Sequence, residues 1–177
     1  MAKSLPRRED VPKADQWDIE SLFPSEAAWE EAFGKADAAL ATVAEYKGRL
    51  DSSAKTLLEA LQARDTVGNQ VQWVALYSGM MVAGDTTNQA NLAREDRAGG
   101  LLARWGAASA FFEPEILAIA PETLEQFIQA ESGLAIYRHY FDSLGLIRDH
   151  VRSAEVEAVL AEFGDVAGSG WRTHNAL

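Results

Sequence analysis

Apolar positions recur at helical intervals along most of this chain. Trp29, Phe33, Ala36, Leu40 and Val43 follow at steps of four, three, four and three, which draws one apolar stripe on a helix of about six turns. Ser25, just after Pro24, is a good N-cap, and Glu26 suits the positive end of the helix dipole. Glu31 and Lys35 lie one turn apart on the flank and form a surface pair. Gly48 is the expected stop. A second helical region starts near Ser53, with Leu57, Leu58 and Leu61 on its inner face and an expected break at residues 65–68. The following stretch VQWVALYSGMMVAG (71–84) is apolar nearly all round and predicts a central, buried helix. Gly84 and Asp85 end it, and Thr87 or Asn88 caps the next.

The third long helix is expected to run to about Phe112, with Leu101, Trp105, Ala108 and Phe112 on its face. Gly99 and Gly100 inside it each cost ~1 kcal/mol relative to alanine. A close helix–helix contact is the expected reason, with a local kink as the alternative. Pro114 and Pro121 each suit the first turn of a short helix, the second being PETLEQFIQ (121–129). Leu134, Tyr137, Phe141 and Leu144 mark another helix, stopped by Gly145. Ser153 caps a last one, with Val156, Val159, Leu160 and Phe163 inside. No segment alternates with period two. The fold class is therefore all-α, an antiparallel bundle-like array of long and short helices joined by short turns. Residues 1–16, broken by Pro6 and Pro12, read as an extended arm, residues 17–163 as the helical domain and residues 164–177 as a tail in which Trp171 has nothing visible to pack on.

Composition narrows the classes of function. The chain has 177 residues and 47% apolar residues, enough for a sizeable core. No stretch reaches about 18 uninterrupted apolar residues, so no membrane partner is expected. The N-terminus carries charge without an apolar run, unlike a secretory signal. The 16 basic and 27 acidic residues leave a net charge of −11, which repels phosphate backbones and argues against nucleic acid as a partner. With no cysteine there is no disulfide or thiolate metal site, which fits a cytoplasmic setting.

The chemistry-bearing residues supply no catalytic set. His139, His150 and His174 are followed by Tyr140, Val151 and Asn175, so none begins an H-E-x-x-H zinc motif. His139 and Asp142 stand three apart on a predicted helix, where a solvated polar face is the plainer reading than a metal site. Asp149 beside His150 is weak evidence for catalysis. There is no G-x-S-x-G elbow, no G-x-G-x-x-G and no Walker A loop. GSG (168–170) is too short and has no lysine after it. The carboxylate pairs Glu30–Glu31, Glu95–Asp96 and Glu155–Glu157 read as exposed charge. No catalytic, cofactor-binding or metal residue is assigned.

Three stretches in order resemble one family: WDIESLFPSEAAWEEAF (17–33), LYSGMMVAGDTTNQANLARED (76–96) and YRHYFDSLGLIRDHVRSAEVEAVLAE (137–162). Together they are similar to the N-terminal region of oligoendopeptidase F, of the M3 family of zinc metallopeptidases, over roughly residues 7–177. The resemblance implies an α-helical cytoplasmic peptidase that cuts short peptides. Its zinc is held by the two histidines of H-E-x-x-H and a later glutamate, with the motif's own glutamate activating water. The resemblance also implies that a helical N-terminal part covers the catalytic part across a substrate channel. H-E-x-x-H and the catalytic segment are missing here. The expectation is thus an N-terminal lobe that is inactive alone, needs no cofactor of its own, and has the missing catalytic domain as partner. Trp17, Phe23 and Trp29 are then packing anchors at the start of the helical array. Such a lobe predicts an exposed apolar patch where the catalytic part would lean. The alternative, a freestanding helical interaction module, predicts a closed polar surface. A third, an independent metal enzyme using His139 and Asp142, has the least behind it.

Overall fold

Ser25 starts the first long helix as its side chain dictates. Its hydroxyl accepts a hydrogen bond from the Ala28 amide at 3.2 Å and satisfies a donor that the first turn leaves open. In the computed structural model, which describes residues 10–148, six α-helices follow: α1 (Glu26–Ala44), α2 (Ala54–Gly84), α3 (Gln89–Ser109), α4 (Phe112–Ala118), α5 (Pro121–Ala130) and α6 (Arg138–Ile147). Short 3-10 turns lie at Lys13–Asp15, Ile19–Ser21 and Ser132–Tyr137. No strand occurs among the described residues, and the fold is all-α. The expected last helix from Ser153, the pair Glu155–Glu157 and the tail with Trp171 lie outside the described residues.

The caps follow the sequence. Ser53 caps α2 by accepting from the Thr56 amide at 3.1 Å. Asn88, rather than Thr87, caps α3 by accepting from the Ala90 and Asn91 amides at 3.0 and 3.1 Å. Pro121 occupies the first turn of α5, where its missing N–H costs nothing. α1 ends at Ala44, and Gly48 stops not the helix but the turn beyond it, at a φ of +74° that side chains rarely adopt.

The chain divides into two compact units after Phe111. In the first, α2 packs against both α1 and α3, and α1 and α3 also touch. Trp29, Ala36, Leu40 and Val43 of α1 are buried against this centre, with Leu57, Leu61, Val67, Val71 and Val74 of α2 and Ala98 and Leu101 of α3. Ile19 is buried, and Phe23 meets Tyr77 edge-on at 5.4 Å, so the segment before α1 is held on α2. In the second unit, α4, α5 and α6 carry the buried Ile116, Ile128, Phe141 and Leu144, and the 3-10 turn between α5 and α6 carries Leu134 and Tyr137.

Several expectations are corrected. α2 runs unbroken for 31 residues; Asp65–Gly68 is helical, and Trp105 of α3 packs there against Gly68. Gly68, not Gly99 or Gly100, makes the close approach: a Cβ at 68 would lie 3.0 Å from Cζ2 of Trp105. Gly99 has nothing within 4 Å, and α3 continues through both glycines. Phe112 opens α4 instead of closing α3, since Pro114 two residues on fits only a first turn. Gly145 lies inside α6 and does not stop it. The stretch 71–84 is not buried all round: Trp73 and Leu76 are each 51% exposed. Trp17 is 64% exposed and anchors nothing in the core, so Ile19 and Phe23 take that part.

Two stability outcomes are expected. Trp29→Ala should lower the unfolding free energy by about 3–5 kcal/mol in a urea titration, the range for removing a large buried aromatic; a loss below about 1 kcal/mol would contradict its central position. Gly99→Ala should raise stability by about 1 kcal/mol, because the helix gains a better former and the new methyl meets nothing.

Candidate functional site

Most of the specific polar geometry gathers where α1 meets α3. Arg94, Arg97 and Arg104 on α3 stand at steps of three and seven, and Glu26, Glu30 and Asp37 on α1 at steps of four and seven. Each arginine finds one acid in the same order: Arg94 Nη2 to Glu26 Oε1 at 2.8 Å, Arg97 to both oxygens of Glu30 at 2.5 and 2.8 Å, and Arg104 Nε to Asp37 Oδ1 at 2.9 Å. The order makes α1 and α3 parallel, with α2 reversed between them.

The guanidiniums also lie over aromatic rings. Arg97 sits 5.1 Å from the Trp29 ring and 4.7 Å from Phe33, and Arg94 sits 5.6 Å from Trp29. Arg94 is buried, and its Nη1 donates to Asn91 Oδ1 at 2.9 Å. Asn91 Nδ2 in turn donates to the Met81 carbonyl at 3.1 Å. The hydrogen bond from Arg97 holds the Glu30 carboxyl below its ordinary value of 4.5, against a smaller opposing effect of burial. Asp85, in the turn before α3, is lowered by the Thr87 hydroxyl and amide. These arrangements orient helices and offer no reacting pair.

Concave surfaces in the first unit border the segment before α1. A groove of about 690 Å³ lies between the segment before α1 and α2, bordered by Trp17, Phe23, Tyr77 and Met81 and by Lys13 and Glu20. A smaller pocket of about 270 Å³ is formed by Leu22, Phe23, Ala32, Lys35, Gln70 and Trp73.

The residues weighed for chemistry stay apart. His139 and Asp142 are both exposed on α6, and no group of three His, Cys, Asp or Glu side chains able to hold a metal forms among the described residues. The described residues do not fit a zinc centre. Asp149 and His150 lie outside the described residues. Glu31 pairs with Lys35 at 2.6 Å as its spacing implied, while Glu30 is taken by Arg97. Sequence reasoning missed the arginine ladder; its signal was the matching spacing of acids and arginines on two helices.

Comparison with known proteins shows what the chain is similar to. The chain is 36% identical to oligopeptidase PepF of Bacillus subtilis over 99% of its own length and 26% of that protein. Its fold superimposes on oligoendopeptidase-F from Enterococcus faecium with a TM-score of 0.71 and 31% identity, over 80% of this chain and 28% of the other. This chain is a relative of the N-terminal region of oligoendopeptidase F. A family model of the N-terminal part of M3 peptidases, described as oligopeptidase F, matches residues 115–177. The plasmid-encoded oligoendopeptidase F of Lactococcus lactis subsp. cremoris is 28% identical over 94% of this chain and 27% of its own. A putative peptidase from Chlamydophila abortus, 20% identical with a TM-score of 0.72, shares the fold over 93% of this chain and 28% of its own. The chain thus spans about a quarter of the curated oligoendopeptidase F relatives it matches. No helix among the described residues is long and apolar enough to cross a membrane.

The Glu30–Arg97 pair sets a pH dependence. A carboxyl lowered on folding stabilises the fold above its unfolded value of 4.5, and this is lost as pH falls through the lower folded value. Nuclear magnetic resonance titration of Glu30 should show a midpoint below 4.5, moving up to the ordinary range in Arg97→Ala; a midpoint at or above 4.5 in the unaltered chain would refute the pairing.

Proposed function

We propose that this chain is the N-terminal lobe of an oligoendopeptidase F-like zinc metallopeptidase that hydrolyses short peptides in the cytoplasm. One observation carries the proposal: 36% identity to oligopeptidase PepF runs over 99% of this chain but only 26% of that protein. In this proposal the zinc-bearing H-E-x-x-H segment and the water it activates belong to a catalytic part outside these 177 residues. The lobe binds that part and walls one side of the space where an oligopeptide lies. Its contribution is positional. Helices cross-tied by ion pairs hold a surface still against the catalytic part.

The alternative is a freestanding helical interaction module. That reading calls for a closed polar surface, and the exposure of Trp73 and Leu76 on α2 favours the lobe instead. An independent metal enzyme built on His139 and Asp142 has no third ligand among the described residues to support it.

Purified chain, supplied with zinc and a quenched fluorescent oligopeptide, should give no chelator-sensitive cleavage. Turnover that a chelator abolishes and zinc restores would overturn the assignment of catalysis to a separate part.

A further inference from the structure

α2 carries a second seam on the side turned away from its buried stripe. Thr66, Asn69, Trp73, Leu76, Met80 and Ala83 follow at steps of three, four, three, four and three, the spacing by which one helix receives another. All six are exposed or half-exposed, whereas Val67, Val71, Val74 and Ser78 of the same helix are buried. From Thr66 to Gly84 the chain holds no charged residue in 19 positions, although 24% of its residues are charged and about five would be expected there. Loss of charge together with tryptophan and methionine is the composition of the buried centre of an interface, not of a solvated helix face. Beside Trp73 lies the pocket of about 270 Å³, walled by Leu22, Phe23 and Ala32, which is open to an apolar side chain from a partner.

We propose that this seam docks a helix of the remaining, C-terminal part of the same oligoendopeptidase F-like enzyme, with Trp73 as its central anchor. The proposal rests on the lobe reading given above. Two observations choose this occupant. The chain accounts for 26–28% of the length of its relatives, so about three-quarters of each such polypeptide stands outside it. A second copy of this chain would instead bring two net charges of −11 together, a repulsion that a partner of different sequence need not share. The partner helix should present a leucine, isoleucine or phenylalanine to the pocket and uncharged polar groups to Asn69 and Gln72.

The test uses the full 177-residue chain and, as probe, the part of Bacillus subtilis oligopeptidase PepF that follows its region of similarity. Association is measured by titration calorimetry for the unaltered chain, Trp73→Ala and Leu76→Ala, with Lys55→Ala as a control in the first turn of the same helix, before the seam begins at Thr66. Thermal unfolding of each variant is followed in parallel. Trp73→Ala and Leu76→Ala should each weaken association by about tenfold or more with unfolding little changed, and Lys55→Ala should bind as the unaltered chain does. If the unaltered chain associates and both seam variants match it, another face docks; the lobe reading survives and this inference falls. If the unaltered chain does not associate, the lobe reading falls and takes this inference with it. If sedimentation shows the chain alone as a dimer that Trp73→Ala dissociates, the occupant is a second copy and the proposal is overturned.

Discussion

Trp29 is the contact on which the first unit depends, because its one side chain ties α1 to both α2 and α3. Its indole is fully buried, and its Nε1–H donates at 3.0 Å to the carbonyl of Val74 in the middle of α2. The same carbonyl accepts the Ser78 hydroxyl at 2.9 Å. Burying a side chain of this size contributes on the order of 3 kcal/mol, and a paired indole N–H removes the penalty that burying it alone would carry. The hydrogen bond also fixes the height of α1 against α2, which apolar packing alone would leave free to slide. On the other side of the ring, Arg94 and Arg97 of α3 lie over its face. Rotation of α1, its position on α2 and the approach of α3 are thus settled at one residue.

The ion pairs then act on register. The pairs of Arg97 and Arg104 are partly exposed, and such pairs contribute about 1 kcal/mol or less each. Their value lies in order: three acids on α1 and three arginines on α3 match only when the helices run parallel at one offset. Arg94 differs, because its guanidinium is buried and its desolvation has to be met by Glu26, Asn91 and the Trp29 face together. Charge gathers between α1 and α3, while α2 from Thr66 to Gly84 carries none. In an acidic chain, that division separates a solvated side from a side fit to receive another polypeptide.

Helix starts were legible because a cap is a local event. Ser25, Ser53 and Asn88 each meet amides two or three residues ahead, and Pro121 needs only its own first turn. The buried stripe of α1 was legible for a similar reason, since its spacing admits one inward face. The misplaced readings all needed a second element. Gly99 and Gly100 looked like a contact point, but Trp105 chose Gly68. A break in α2 looked reasonable at Asp65–Gly68, yet the helix runs through it and Trp105 of α3 packs on Gly68. Trp17 and Trp29 are the same residue type 12 positions apart, yet one is 64% exposed and the other fully buried. The arginine ladder was missed because its partners are 67 or 68 residues away, and spacing on each helix alone does not say which helices meet.

The sequence by itself determined that the chain is all-α, where most helices begin, and which family it resembles, because caps, periodicity and ordered motifs are properties of neighbouring residues. Only the tertiary structure decided which side of α2 is covered and which is left open, which tryptophan becomes core, and which acid each arginine meets. Spacing along one helix says where its faces are; what arrives at each face is set by other helices, and burial follows from that arrival.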